Sequence, residues 1–357
     1  MRIALPLLKW FDHHQRPMPW RATRDAYRIW VSEVMLQQTT VAAVIPYYHR
    51  FMAAFPTVTA VAAAPEQDVL KLWEGLGYYR RARHLHAAAK RIVNEHDGQF
   101  PNDRDAVAAL PGVGRYILGA VLSQAFEERL PIVEANTVRL LARLFAYRGD
   151  PRAGKGNAWA WRTAESLLPQ KRIGDFNQAL MELGSQVCTP VNPKCDACPL
   201  RKQCQTFEQG LQTEIPPPKT PPRVVTVHEI ALTIRKGKQY LMLLRSPQAS
   251  RWANMWEFPH GELMEGEAAE KAAMRVANEL TGLTVAVGRS VAVIQHTVTR
   301  FAITMTVLEA TTRARRVRLS EHAEVKWLTL AEMKSLPMAV PQRRIVTALA
   351  NPQKSLL

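Results

Sequence analysis

Along the first two hundred residues the apolar positions recur with a helical period. The segments that carry them, Val61–Ala64, His84–Val93 and Ala106–Ala109 among them, are built from good helix formers. Runs of β-branched residues are few there. The pattern changes further on. Val224–Ile234, Tyr240–Leu244, Val285–Ile294, Phe301–Leu308 and Val325–Leu328 are short and rich in β-branched residues, which predicts strands, and Glu267–Leu280 between them reads as a helix. The two regimes are separated by Ile215–Pro222, where five prolines fall in eight residues. Such a stretch cannot continue a helix and favours an extended linker. The expectation is a multidomain chain: an all-α domain over 1–207, a Pro-rich linker over 208–223, and a smaller α/β domain over 224–357. There is no internal repeat.

Composition sharpens this picture. A chain of 357 residues suits two or three domains, and 47% hydrophobic with 22% charged residues is a globular balance. Lys and Arg number 47 against 31 Asp and Glu, a net charge of +16. That excess points to a polyanionic partner. It divides between the two parts, with 27 basic against 18 acidic residues up to residue 207 and 20 against 13 after it. No apolar run reaches the roughly 18 residues of a membrane span. The start, Met1-Arg2-Ile3-Ala4-Leu5-Pro6, has no apolar core of the kind a secretory signal needs.

The four cysteines all fall in one loop, 188–204, spaced Cys188-x6-Cys195-x2-Cys198-x5-Cys204. Such clustering indicates one local site in a reducing compartment rather than a disulfide scaffold. Two readings compete, a structural zinc site and a [4Fe-4S] cluster. Zinc sites usually pair two short knuckles, and here only the middle spacing is short, which favours the larger cluster. Upstream, Leu110-Pro111-Gly112-Val113-Gly114-Arg115-Tyr116 opens a helical run to Leu122. Its glycines permit a tight turn, and the free N–H groups at the helix start can hold a phosphate oxygen.

The cysteine spacing resembles the cluster loop of the endonuclease III and adenine-glycosylase branch of DNA glycosylases. Leu-Pro-Gly-Val-Gly, about 75 residues earlier, resembles their helix–hairpin–helix motif. The lysine nucleophile of endonuclease III-type enzymes falls at Tyr116, which cannot form a Schiff base. The chain is therefore similar to the monofunctional, MutY-type adenine DNA glycosylases, whose motif is matched closely by Ser32-Glu33-Val34-Met35-Leu36-Gln37-Gln38-Thr39. Glu33 lies in an apolar helical stretch, which raises a carboxyl pKa and suits a general acid. The resemblance implies that Glu33 protonates adenine so that it leaves as a neutral base. It also implies a second carboxylate that, with Asn136 and Tyr116, stabilises the sugar cation. The family's aspartate, in Asp-Gly-Asn, is replaced here by Glu134-Ala135-Asn136. The charge is kept, a methylene is added, and the expectation is a compensating backbone shift. The alternative for Glu134 is an acid at a helix N-terminus.

By the same resemblance, Trp20, Arg21, Leu36, Gln178 and Glu182 would hold the extruded adenine. Gln38 and Tyr78 would fill the gap in the stack, with Gly112, Gly114 and Arg115 on phosphate. In the C-terminal part, Gly261-x5-Glu267-x7-Arg275 has the spacing of a Nudix box. Two of its three metal carboxylate positions are apolar, Val276 and Leu280, while Glu279 remains. The fold is expected to survive without the hydrolase chemistry. The hairpin that reads 8-oxoguanine in the family aligns with Val298-Thr299-Arg300, so Thr299 and Arg300 are candidates for that task or for an exposed strand face. The implied partner is duplex DNA with adenine opposite 8-oxoguanine or guanine, bound by a monomer at the nucleoid of a bacterial cytoplasm. Two rivals remain: a Nudix pyrophosphohydrolase with an accessory DNA domain, and a lesion-binding protein whose chemistry lapsed at Glu134.

Overall fold

The computed structural model describes residues 3–219, 223–314 and 316–351. Met1 and Arg2 of the N-terminal stretch and Thr220, Pro221 and Pro222 of the expected linker lie outside them. The chain forms two compact units. One holds the chain up to Ala63 and from His84 to the linker. The other holds Ala64–Arg83 with everything after the linker. Residues 64–83, expected within the helical domain, thus group with the sheet-bearing unit. Their helical pattern gave no sign of this, because the tie is made by side chains. Glu74 pairs with Arg343 at 2.6 Å, and Gln67 and Glu66 bond to Asn254.

The first unit is helical. Helix Ala26–Leu36 starts at Asp25, whose side chain accepts from the Arg28 N–H, and it buries nine of its eleven residues. Helix Arg115–Phe126 is likewise buried along most of its length. Helix Ile173–Gln186 presents Phe176, Leu180 and Leu183 to a core shared with Leu7, Phe11, Leu141 and Leu144. Asn177 ties it to the second of these, donating to Ser123 Oγ and to the Leu130 carbonyl, both at 2.9 Å.

The second unit is built on a seven-stranded sheet: β1 (Val225–Lys236), β2 (Gln239–Arg245), β3 (Trp256–Glu257), β4 (His260–Glu262), β5 (Ala286–Val298), β6 (Phe301–Thr311) and β7 (His322–Leu328). The main order is β3-β2-β1-β6-β5, with β4 on β1 and β7 on β2, and among the described strands β1 and β6 are the pair that runs parallel. The two faces carry separate cores, as the period of two requires. Ile230, Leu232 and Ile234 pack under helix Ala269–Thr281 with Ala273, Val276 and Ala277. Ala231, Met242, Met305 and Val307 pack with Ile345 and Val346 of helix Val340–Ala350, which the sequence pattern had not marked.

A buried ionic network links five of these strands. Glu257 accepts from Arg245 at 2.8 Å and faces His322 at 2.9 Å and His260 at 3.3 Å. His260 also meets Glu229 at 3.1 Å. Burial alone would favour neutral His260, but the two carboxylates outweigh it and push its pKa up to about 10. Glu257 is held far below the usual carboxylate range: burial opposes this, and His260, His322 and Arg245 overcome it. The stability that His260 contributes is therefore complete below pH 6.5 and is lost as pH rises through about 10. The carboxylates contribute above about pH 4.5 and lose that contribution on acidification. Thermal melts of the full chain should show the second unit losing several degrees between pH 7 and 10. The substitution His260→Gln should flatten that dependence.

Candidate active site

Two buried helices meet at one carboxyl group. Glu33 lies within helix Ala26–Leu36 and is 3% exposed, surrounded by Trp30, Val31, Val34 and Met35. The sequence suggests a lone carboxylate. The structure gives it two donors from helix Arg115–Phe126: Tyr116 Oη at 2.7 Å from Oε2, and Gln124 Nε2 at 2.9 Å from Oε1. Burial raises the Glu33 pKa, and those two hydrogen bonds and the nearby Arg21 offset it only in part. Tyr116 is pushed well above the ordinary phenol range, first by burial and then by Glu33 and Glu134. Gln124 escaped sequence reasoning. Its one signal is position, since residues 116 and 124 lie two turns apart on one helix face.

Glu134 caps helix Ala135–Leu144 in a capping box with Thr137. Its Oε1 accepts from the Thr137 N–H at 2.8 Å, and its Oε2 from the Asn136 N–H at 2.8 Å and from Asn136 Nδ2 at 3.1 Å. The carboxylate thus folds over the helix start. Burial still raises its pKa, and the two backbone donors and Arg139 offset this only in part. Asn136 is further held by Arg139 Nη2 at 2.9 Å. Gly184 lets helix Ile173–Gln186 cross close by, since a Cβ there would stand 2.8 Å from Asn136 Cβ.

Of the residues expected around adenine, Arg21, Gln178 and Glu182 come together. Arg21 donates from Nε to Gln178 Oε1 and from Nη2 to Glu182 Oε2, both at 2.9 Å. Glu182 also takes Arg16 at 2.6 Å, a partner the sequence did not reveal. Burial would raise its pKa, but the two guanidiniums dominate and keep it low. Trp20 is buried edge-on against Tyr48, with ring centroids 5.3 Å apart, and Leu36 ends its helix half-buried. Met181, on the same face as Gln178 and Glu182, brings its sulfur to 3.4 Å from the Tyr116 hydroxyl, so the two groups of residues adjoin.

The hairpin separates its two glycines. Gly112 has φ +79° and a Cβ there would lie 2.7 Å from His84 Cβ, whereas Gly114 has φ −95° and open space. Arg115 is exposed, with its guanidinium 3.9 Å above the Trp161 ring. Gln38 is exposed at φ +57° in the first unit, and Tyr78 at φ +49° in the second, 52% exposed. Thr299 and Arg300 form the exposed two-residue turn between β5 and β6, with Thr299 at φ +53°.

Cys188, Cys195, Cys198 and Cys204 are free, half-buried, and line one cavity with Arg143, Leu144, Val187 and Leu200. Burial pushes the Cys198 thiol up to about 12. Among the described residues no three His, Cys, Asp or Glu side chains converge on a single ion-sized point. Arg143 organises the loop, donating to the carbonyls of Thr189, Pro190, Gln212 and Ile215 at 2.7–3.1 Å and lying 3.5 Å from Cys188 Sγ. In the second unit, Arg275 meets Glu267 at 2.7 Å and Glu279 at 3.1 Å, while Val276 is buried against Gly261.

Helices, hairpin and buried carboxyl together have the architecture of a base-excision DNA glycosylase joined to a Nudix-like domain. Residues 31–164 match the HhH-GPD superfamily of base excision DNA repair proteins, and residues 230–348 match the NUDIX domain. A thermostable thymine-DNA glycosylase of known structure is 32% identical with a TM-score of 0.53, covering 58% of this chain and 95% of that one. An adenine DNA glycosylase of Arabidopsis thaliana is 35% identical over 315 residues, which is 77% of this chain and 49% of that protein. One from Buchnera aphidicola subsp. Baizongia pistaciae is 34% identical over 254 residues, 71% of this chain and 72% of its own. The chain belongs to the adenine DNA glycosylase family. It spans about half the length of the first of these relatives. No helix among the described residues is long and apolar enough to cross a membrane.

The contrast between the two glycines is testable. Gly112→Ala should destabilise the first unit by roughly 1–3 kcal/mol through backbone strain and the clash with His84. Gly114→Ala should cost less than about 1 kcal/mol. Denaturant titration of both variants measures the difference.

Proposed function

We propose that the chain is a monofunctional adenine DNA glycosylase that hydrolyses the N-glycosidic bond of adenine opposite 8-oxoguanine or guanine in duplex DNA, leaving an abasic site. The observation that carries this is the buried Glu33 carboxyl, hydrogen-bonded by Tyr116, in a member of this family. Burial raises the Glu33 pKa and so favours the protonated carboxyl that would deliver a proton to the departing purine. Arg21, Gln178 and Glu182 offer a fixed fan of donors and acceptors to the extruded base, with Trp20 as a wall. Glu134 faces the cationic sugar with its charge partly spent on the helix start, and Asn136 holds it in place. Tyr116 has no amine, so no Schiff base forms and the strand is not cut.

The donor set and shared cavity of the four cysteines fit a [4Fe-4S] cluster, which would brace the loop when bound. Lys194, Arg201 and Lys202 then sit on that loop with phosphate within their reach. The hydrolase rival is disfavoured by Val276, buried where a metal carboxylate would stand. The chain acts as a monomer at the bacterial nucleoid.

A duplex with one adenine:8-oxoguanine pair, incubated with the protein and treated with alkali, should break at the adenine. Glu33→Gln should slow this at least about 100-fold in single turnover. Unchanged cleavage by that variant overturns the reading. Gln124→Leu removes a donor that favours ionised Glu33, so the Glu33 pKa rises further and the alkaline limb of the pH–rate profile should move to higher pH. A purely structural loss would leave that limb in place.

A further inference from the structure

Outside the active site, one surface of the second unit gathers charge, aromatic rings and backbone strain. Arg251, between β2 and β3, and Arg300, in the β5–β6 turn, both hold their guanidinium over the ring of Phe301, at 4.9 and 5.2 Å from its centroid. The two charges are thus no more than about 10 Å apart. Neither makes an ion pair among the described residues, although Arg is the residue best suited to bidentate pairing. Beside them, Trp252 lies 6.5 Å from the ring of His296, whose two ring nitrogens are buried without a hydrogen-bond partner.

Both loops are strained and both are held. Trp252 and Asn254 have φ +52° and +61°, and Thr299 has φ +53°, a region that costs a bulky L-residue energy. Such strain persists where the surroundings impose it, and it concentrates at ligand clamps. Here the imposing groups are visible. Arg245, already paired with Glu257, donates from Nε to the Arg251 carbonyl at 3.0 Å, and its own carbonyl accepts from the Asn254 N–H at 3.3 Å. Asn254 is pinned again by Glu66 at 2.6 Å. The buried ionic network therefore sets the position of the 251–254 loop. Two unpaired cations, a fixed tryptophan and an unsatisfied histidine form a prepared site for an anionic, stackable ligand.

We propose that Arg251 and Trp252 join His296, Arg300 and Phe301 in one two-loop platform that binds the DNA strand opposite the excised adenine. Arg251 and Arg300 take the phosphate flanking the opposite base, and Trp252 supplies a stacking face. The proposal rests on the glycosylase reading above and extends it to residues outside the β5–β6 turn.

The test uses the full chain with duplexes carrying one adenine:8-oxoguanine or adenine:guanine pair. Arg251→Ala, an exposed side chain whose loss leaves the loop anchors intact, should weaken binding at least tenfold and reduce the salt slope by about one. Trp252→Ala should lower the preference for 8-oxoguanine over guanine at least fivefold. Adenine release at saturating protein should stay within threefold for both. Binding and preference within twofold of the parent for both variants, with the parent releasing adenine, overturn the platform. A parent that releases no adenine overturns the glycosylase reading instead, and loss of affinity in Arg251→Ala still supports the platform as a DNA site.

Discussion

A carboxyl group sunk in the middle of an apolar helix is the constraint around which the first unit is arranged. Glu33 cannot be left there unaccompanied, because a buried carboxyl without donors is costly in either protonation state. The donors come from a second helix, whose start is set by the Gly112 turn and whose register puts Tyr116 and Gln124 on the same face. That helix is held in turn by Asn177 of a third, which also carries Gln178, Met181 and Glu182 toward the same region. One solvation problem thus fixes three helices.

Glu33 and Glu257 show how partners decide the outcome of burial. Both are almost wholly enclosed. Glu33 receives neutral donors, so burial prevails and its pKa rises. Glu257 receives a guanidinium and two imidazoles, so the charge prevails and its pKa falls. The first arrangement favours the protonated carboxyl. The second favours the carboxylate, which serves as a rivet through five strands.

Much of this was legible in the sequence. The change of period near residue 208 announced two architectures, the cysteine spacing announced one loop, and the apolar neighbours of Glu33 announced its burial. What was not legible depends on contacts distant in sequence. Gln124 resembles any helical glutamine until Glu33 is placed against it. Arg16 and Arg143 are ordinary arginines until a carboxylate and four carbonyls are brought to them by the fold. Residues 64–83 carry a helical pattern in a helical stretch, and contacts such as the Glu74–Arg343 pair and the bonds of Gln67 and Glu66 to Asn254 reveal where they belong. Glu134 read as a departure from an aspartate motif. Its capping box adds that the carboxylate is engaged by the helix start.

The Glu267–Arg275 pair has a mechanical role that is independent of metal chemistry. It splints the loop to helix Ala269–Thr281 through two bonds at 2.7 and 2.9 Å and asks for no metal, while the neighbouring position has been given over to Val276 and the core. The spacing therefore carries two separable roles: a mechanical splint that needs only the ion pair, and a metal site that needs carboxylates where this chain has Val276 and Leu280.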